Sequence, residues 1–119
     1  MQLYRPVIGL LFAALTAIHP LAEADPAGKD TILTDPESVQ LGQEIFTKNC
    51  VYCHGHQGSG GKAKSLQGRE FKADYLFKTI TNGRRRGSMV MPPWKRSLSD
   101  EQRWQLVAFI LSLRETPKE

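Results

Sequence analysis

A chain of 119 residues, 40% hydrophobic and 24% charged, has room for one small domain and too much apolar character to stay unfolded as a whole. Its formal charge of +4 is only mildly basic, and no basic stripe interleaved with aromatics accompanies it, which argues against nucleic-acid binding.

Residues 1–24 read as a secretory signal peptide. Arg5 gives a short positive region, Val7 to Ile18 runs for 12 residues without a charge, and Ala22-Glu23-Ala24 places small residues at both cleavage-recognition positions. A retained anchor is the competing reading, but a spanning helix needs about 20 apolar residues. Cleavage predicts an exported, periplasmic chain with no stable membrane insertion, and no cysteine stands at the cleavage site to carry a lipid. The mature chain keeps its +4, because the removed segment holds one Arg and one Glu. Its 95 residues can bury only a small core, which a large apolar cofactor would help to complete.

Residues 25–36 are polar, with Pro and Gly, and read as a flexible leader to a domain over 37–114. A helix is expected from Pro36 or Glu37 to about Cys53, with Asp35 as N-cap and Pro36 at the first position. Val39, Leu41, Ile45 and Phe46 give it a patchy apolar face. Gly42 falls mid-helix, where it costs about 1 kcal/mol relative to Ala. It is either a loop-like glycine or a point where another helix approaches closely.

Cys50-Val51-Tyr52-Cys53-His54 comes next, and C-x-x-C-H reads as a site of covalent haem attachment. Positions i, i+3 and i+4 share one helical face, so both thiols can reach the two vinyl groups of one haem edge while His54 takes the iron. Three other uses of the pair compete with this one. A structural disulfide here would close a tiny loop and constrain the unfolded chain little. A thioredoxin-like redox pair needs a βαβ setting, and this motif follows a helix. Zinc would need His54 and His56 as further ligands, and they lie too soon after the second cysteine. His56 reads as a solvent-facing loop residue, and His19 leaves with the signal segment.

His54 to Ala73 is glycine-rich and mostly loop. A short helix from about Asp74 to Asn82 follows, with Tyr75, Leu76, Phe77 and Ile80 partly inward and Gly83 closing it. Arg84-Arg85-Arg86 is either a solvated turn or a basic rim that steers an acidic partner. Gly87 to Lys95 contains two prolines and is expected to be extended or turned. It holds Met89 and Met91, which point the same way in an extended segment, so geometry allows either as a second iron ligand. Both could equally be flexible core fillers. His/Met ligation raises the reduction potential and leaves no open coordination position, which favours electron transfer over catalysis.

The last helix opens with Ser99 and Gln102 in a capping box, with Asp100 and Glu101 at its positive end and Arg114 at the other. Trp104, Val107, Ala108 and Leu111 make one apolar stripe, broadened by Leu106, Phe109, Ile110 and Leu113. No convincing strand-period run appears, so the fold class is all-α.

Together these residues resemble the class I cytochrome c family in its small bacterial single-haem form. The resemblance rests on Cys50-Val51-Tyr52-Cys53-His54-Gly55, Asn82-Gly83, Met91-Pro92-Pro93-Trp94 and Leu98-Ser99-Asp100-Glu101, and it extends from about Val39 to Leu113. It implies three to five short helices around one covalently bound haem c, with the first and last helices crossing near the motif. Gly42 and Phe46 would then face Phe109. It prefers Met91 to Met89 as distal ligand, because the family's axial Met is followed closely by Pro. Trp94 would pack near the haem or reach a propionate, although plain core packing explains it as well. One departure stands out. The family often has a Pro whose carbonyl orients the ligand His, and Lys64 occupies that position here; any residue offers a carbonyl, so the bond can survive.

Three functions are compatible with this reading. The first is a one-electron carrier between a dehydrogenase or respiratory complex and a downstream acceptor. The others are a haem enzyme or gas sensor whose Met is displaceable, and a non-haem metal or disulfide protein.

Overall fold

The computed structural model describes residues 28–117, so the signal-peptide reading and the start of the leader lie outside the described residues. Five α-helices occur among them: α1 (Lys29–Thr34), α2 (Pro36–Asn49), α3 (Val51–His54), α4 (Ala73–Asn82) and α5 (Asp100–Ser112). A two-stranded ribbon, β1 (Arg84–Arg86) and β2 (Met89–Met91), sits between α4 and α5. No helix of the described residues is long and apolar enough to cross a membrane.

The caps are those read from the sequence. Asp35 accepts from the Ser38 backbone N–H at 2.8 Å and from its hydroxyl at 2.7 Å, with Pro36 opening α2. These bonds hold the Asp35 carboxyl below its usual range, the Ser38 hydroxyl contributing most. In α5 the capping box is complete: Gln102 N–H donates to Ser99 Oγ at 3.2 Å and Ser99 N–H to Gln102 Oε1 at 2.9 Å. Ser99→Ala should therefore cost about 1 kcal/mol, measurable as a shifted denaturant midpoint with an unchanged slope.

The core lies where α2 crosses α5, the largest helix–helix contact. Phe46 and Phe109 meet there with ring centroids 5.1 Å apart. Gly42 makes the crossing possible: a Cβ at this position would come within 2.9 Å of Phe109 Cβ and closer still to the Gln105 carbonyl. The close-approach reading of Gly42 is the one the structure shows. Leu76 and Ile80 of α4 and Leu106, Val107, Ile110 and Leu113 complete the cluster.

Four features differ from the sequence expectation. α2 ends at Asn49, because Cys50 takes a φ of −114°, and α3 resumes at Val51. Residues 29–34, read as part of a flexible leader, form a helix with Ile32 only 3% exposed. Tertiary contacts hold it: Lys29 Nζ donates to Asp74 at 2.6 Å and lies over the Trp104 ring. Tyr75, expected to face partly inward, is exposed. The ribbon is an addition to an otherwise helical fold. Its two-residue loop, Gly87-Ser88, needs a positive φ at the first position, and Gly87 supplies +61°.

Candidate haem site

Cys50, Cys53 and His54 lie on one tight turn. Cys53 N–H and His54 N–H both donate to the Cys50 carbonyl, at 3.2 and 2.9 Å. The glycine-rich loop beyond it is stitched back onto the turn: Ala63 N–H donates to the Cys53 carbonyl at 2.9 Å and Gly60 N–H to the His54 carbonyl at 2.7 Å. Lys62 closes the outer side, donating to the Tyr52 hydroxyl at 2.6 Å with its ammonium 4.0 Å from that ring's centroid.

The two thiols are free and half-buried. Burial, and secondarily the neighbouring Cys53, pushes the Cys50 thiol up to about 11. Redox-active cysteine pairs work through a depressed thiol, so this shift runs against a thioredoxin-like role. Burial also lowers the His54 imidazole, keeping it neutral with a lone pair free at neutral pH.

The residues fit a haem. His54 Nδ1 is buried with no hydrogen-bond partner among the described residues, and leaving a buried polar atom unpaired costs about 1–3 kcal/mol. It is the nitrogen that would donate to a carbonyl at the Lys64 position, which leaves Nε2 for iron; the two free thiols and the neutral imidazole on one turn are the donor set that haem attachment needs. The carbonyl bond expected at the Lys64 position is not made. His54 also sits 6.2 Å, centroid to centroid, from Phe46 of the core cluster.

The downstream residues reach the same cluster. Cys50, Met91 and Trp94 all pack on its margin. Met91 is half-buried and packs on the cluster, whereas Met89, two residues earlier on the same strand, is 43% exposed. Packing therefore separates two methionines that spacing alone left equivalent. His56 and all three arginines of β1 are exposed, and Arg84 donates to the Tyr75 hydroxyl at 2.6 Å. Sequence reasoning offered a basic rim of Arg84, Arg85 and Arg86 that Lys62 and Lys64 could extend, but not the full extent of the basic segment. Residues 60–98 hold ten Lys and Arg, all exposed, against two acids. Both acids are taken by cations from elsewhere, Asp74 by Lys29 and Glu70 by Arg114. None of the ten pairs with a carboxylate among the described residues.

A helical domain closed by an α2–α5 crossing, with a C-x-x-C-H turn and a Met-bearing segment on one apolar margin, defines a c-type cytochrome with covalently bound haem c. The chain belongs to the cytochrome c family described as "Cytochrome C oxidase, cbb3-type, subunit III", whose profile matches residues 37–110. It is 30% identical to the Cbb3-type cytochrome c oxidase subunit FixP of Sinorhizobium medicae over 97% of its length, covering 46% of that protein. Over 60% of its length it is 29% identical to cytochrome c6 of Bryopsis maxima, covering 88% of it. The cytochrome cL structure from Methylophaga aminisulfidivorans shares the fold, with a TM-score of 0.60 at 23% identity over 81% of this chain and 71% of that one. The chain spans less than half the length of the first oxidase and bc1-complex relatives it matches.

Proposed function

We propose that this cytochrome is a periplasmic one-electron carrier in which Cys50 and Cys53 tether the haem and His54 and Met91 hold the iron. The observation that carries the reading is that the C-x-x-C-H turn and Met91 border one apolar cluster while Met89 is exposed. The haem supplies the reversible one-electron chemistry; the protein sets potential, access and docking. Cys50 and Cys53 would hold one edge of the haem, His54 would present a neutral imidazole to the iron, and Met91 would supply a thioether from the core margin. Trp94, on the same margin, packs against the haem or reaches a propionate. With His54 and Met91 both holding the iron, no site would stay open for substrate, which favours a carrier over an enzyme.

Substitution of the methionines tests this directly. Met91→Ala should abolish the Met–iron charge-transfer absorption of the oxidised form, and Met89→Ala should leave it. The reverse pattern would move the ligand to Met89. Its absence from the parent would favour the haem enzyme or gas sensor.

The donor or acceptor is a dehydrogenase or respiratory complex with an acidic docking surface. Support comes from the unpaired cations over residues 60–98, with Arg84, Arg85 and Arg86 next to the Met91 strand and Lys62 beside the cysteine turn. Charges of this kind raise the encounter rate more than the affinity. Replacing the three arginines by Gln should slow reduction by the physiological donor about tenfold or more at low salt and little at high salt. An unchanged rate at low ionic strength would remove steering from the account. Export is supported by the signal-like segment at residues 1–24.

A further inference from the structure

The strand carrying Met91 is anchored through Trp94 and Lys95, just beyond its end. Trp94 N–H donates to the Ile80 carbonyl at 3.0 Å and Lys95 N–H to the Thr81 carbonyl at 3.4 Å. These carbonyls belong to the last turn of α4, which has no further helical turn to accept from. The position of the Met91 segment is thus coupled to the position of that turn.

One side chain ties that turn to α5. Arg103 is only 5% exposed. Its Nε donates to the Ser99 carbonyl at 3.3 Å, its Nη1 to Thr81 Oγ1 and its Nη2 to the Asp100 carboxylate. Its guanidinium lies 4.9 Å from the Phe77 ring centroid, and Phe77 stacks on Trp104 at 4.0 Å. A buried cation is costly unless its donors are met, and the rigid planar guanidinium fork meets three separated acceptors here while stacking on a ring. Two of them come from the start of α5 and one, with the stacked ring, from α4.

We propose that Arg103 is a positioning residue for the distal ligand. Through Thr81 it fixes the end of α4, and through the two backbone bonds from Trp94 and Lys95 it holds the Met91 segment against displacement. The proposal rests on reading Met91 as the iron ligand.

The test is an imidazole titration of the oxidised holoprotein, monitored by loss of the Met–iron absorption, with guanidinium unfolding in parallel. Thr81→Val removes the acceptor but leaves the Asp100 pair and the Phe77 contact; Arg103→Lys keeps the charge but loses the fork. Each should raise the apparent affinity for imidazole about tenfold, the effect of losing one charged hydrogen bond. Ile32→Ala, in the core beneath α1 and away from the ligand segment, should lower stability without changing imidazole affinity. The proposal is overturned if Thr81→Val and Arg103→Lys leave that affinity at the parent value, or change it no more than Ile32→Ala does. Met91→Ala separates the two levels. Loss of the absorption in that variant with no effect of Thr81→Val sinks the Arg103 role alone; persistence of the absorption sinks the ligand reading and this role with it.

Discussion

Cys50→Ser combined with Cys53→Ser is expected to yield a chain with the mass of bare polypeptide, even in a host that attaches haem to cytochromes. The reasoning is one of bond type. With both thioethers absent, the haem is retained only by axial coordination and apolar contact, and acid–acetone extraction removes it. In either single mutant one thioether remains, so the mass stays raised by one haem while the yield falls. The fold should suffer too. A mature domain of this size buries a modest core, and the cluster that Cys50, Met91 and Trp94 border would lose the apolar face packed against it. Intact-mass spectrometry reads the first effect and a thermal melt the second. A double mutant that still carries the haem mass after extraction would defeat the attachment.

Gly42→Ala should destabilise the domain markedly although it adds only one methyl group. The gain in helix propensity is about 1 kcal/mol and acts in favour of Ala. The steric term acts against it and is larger. The new Cβ would sit 2.9 Å from Phe109 Cβ and would press on the Gln105 carbonyl, a backbone atom that cannot rotate away. Overpacking of this kind costs about 1–3 kcal/mol. The rigid neighbour puts Gly42 at the upper end, so a net loss of about 2 kcal/mol and a Tm lower by about 10 °C are expected. Gly42→Val should lose more, since it adds two methyl groups to the same gap. A Gly42→Ala protein as stable as its parent would mean that the helices separate there at little cost.

Much of this was legible because local chemistry decides it. Asp35 before Pro36, and Ser99 with Gln102 three residues on, satisfy helix N–H groups wherever those sequences occur, and both caps are present. The cysteine turn was legible for the same reason. What escaped depends on distant partners. Helix α1 has no capping side chain and only six residues, and it is held by Ile32 in the core and by Lys29 on Asp74 and Trp104. Arg103 and Gln105 are buried because α5 is covered by α1, α2 and α4 together, which an amphipathic pattern does not announce. In the apolar stripe Val107 and Ala108 are buried as read, and so are Leu106, Phe109, Ile110 and Leu113 beside it, whereas Trp104 and Leu111 are half-exposed at the margin of the core. The hairpin was a missed local signal, since Gly-Ser between two short extended runs is a recognised two-residue turn.

That hairpin makes the architecture modular. Its strands satisfy each other's backbone through the Arg84–Met91 to Arg86–Met89 register, and a Cβ at Gly87 in its turn would meet no atom within 4 Å. The arginines and the methionine proposed to hold the iron therefore share one hairpin, whose outer end from Arg86 to Met89 is exposed while Met91 packs on the core margin. Changing the length or charge of the segment between Arg84 and Val90, with Met91 kept, is a route to retuning partner choice without redesigning the scaffold.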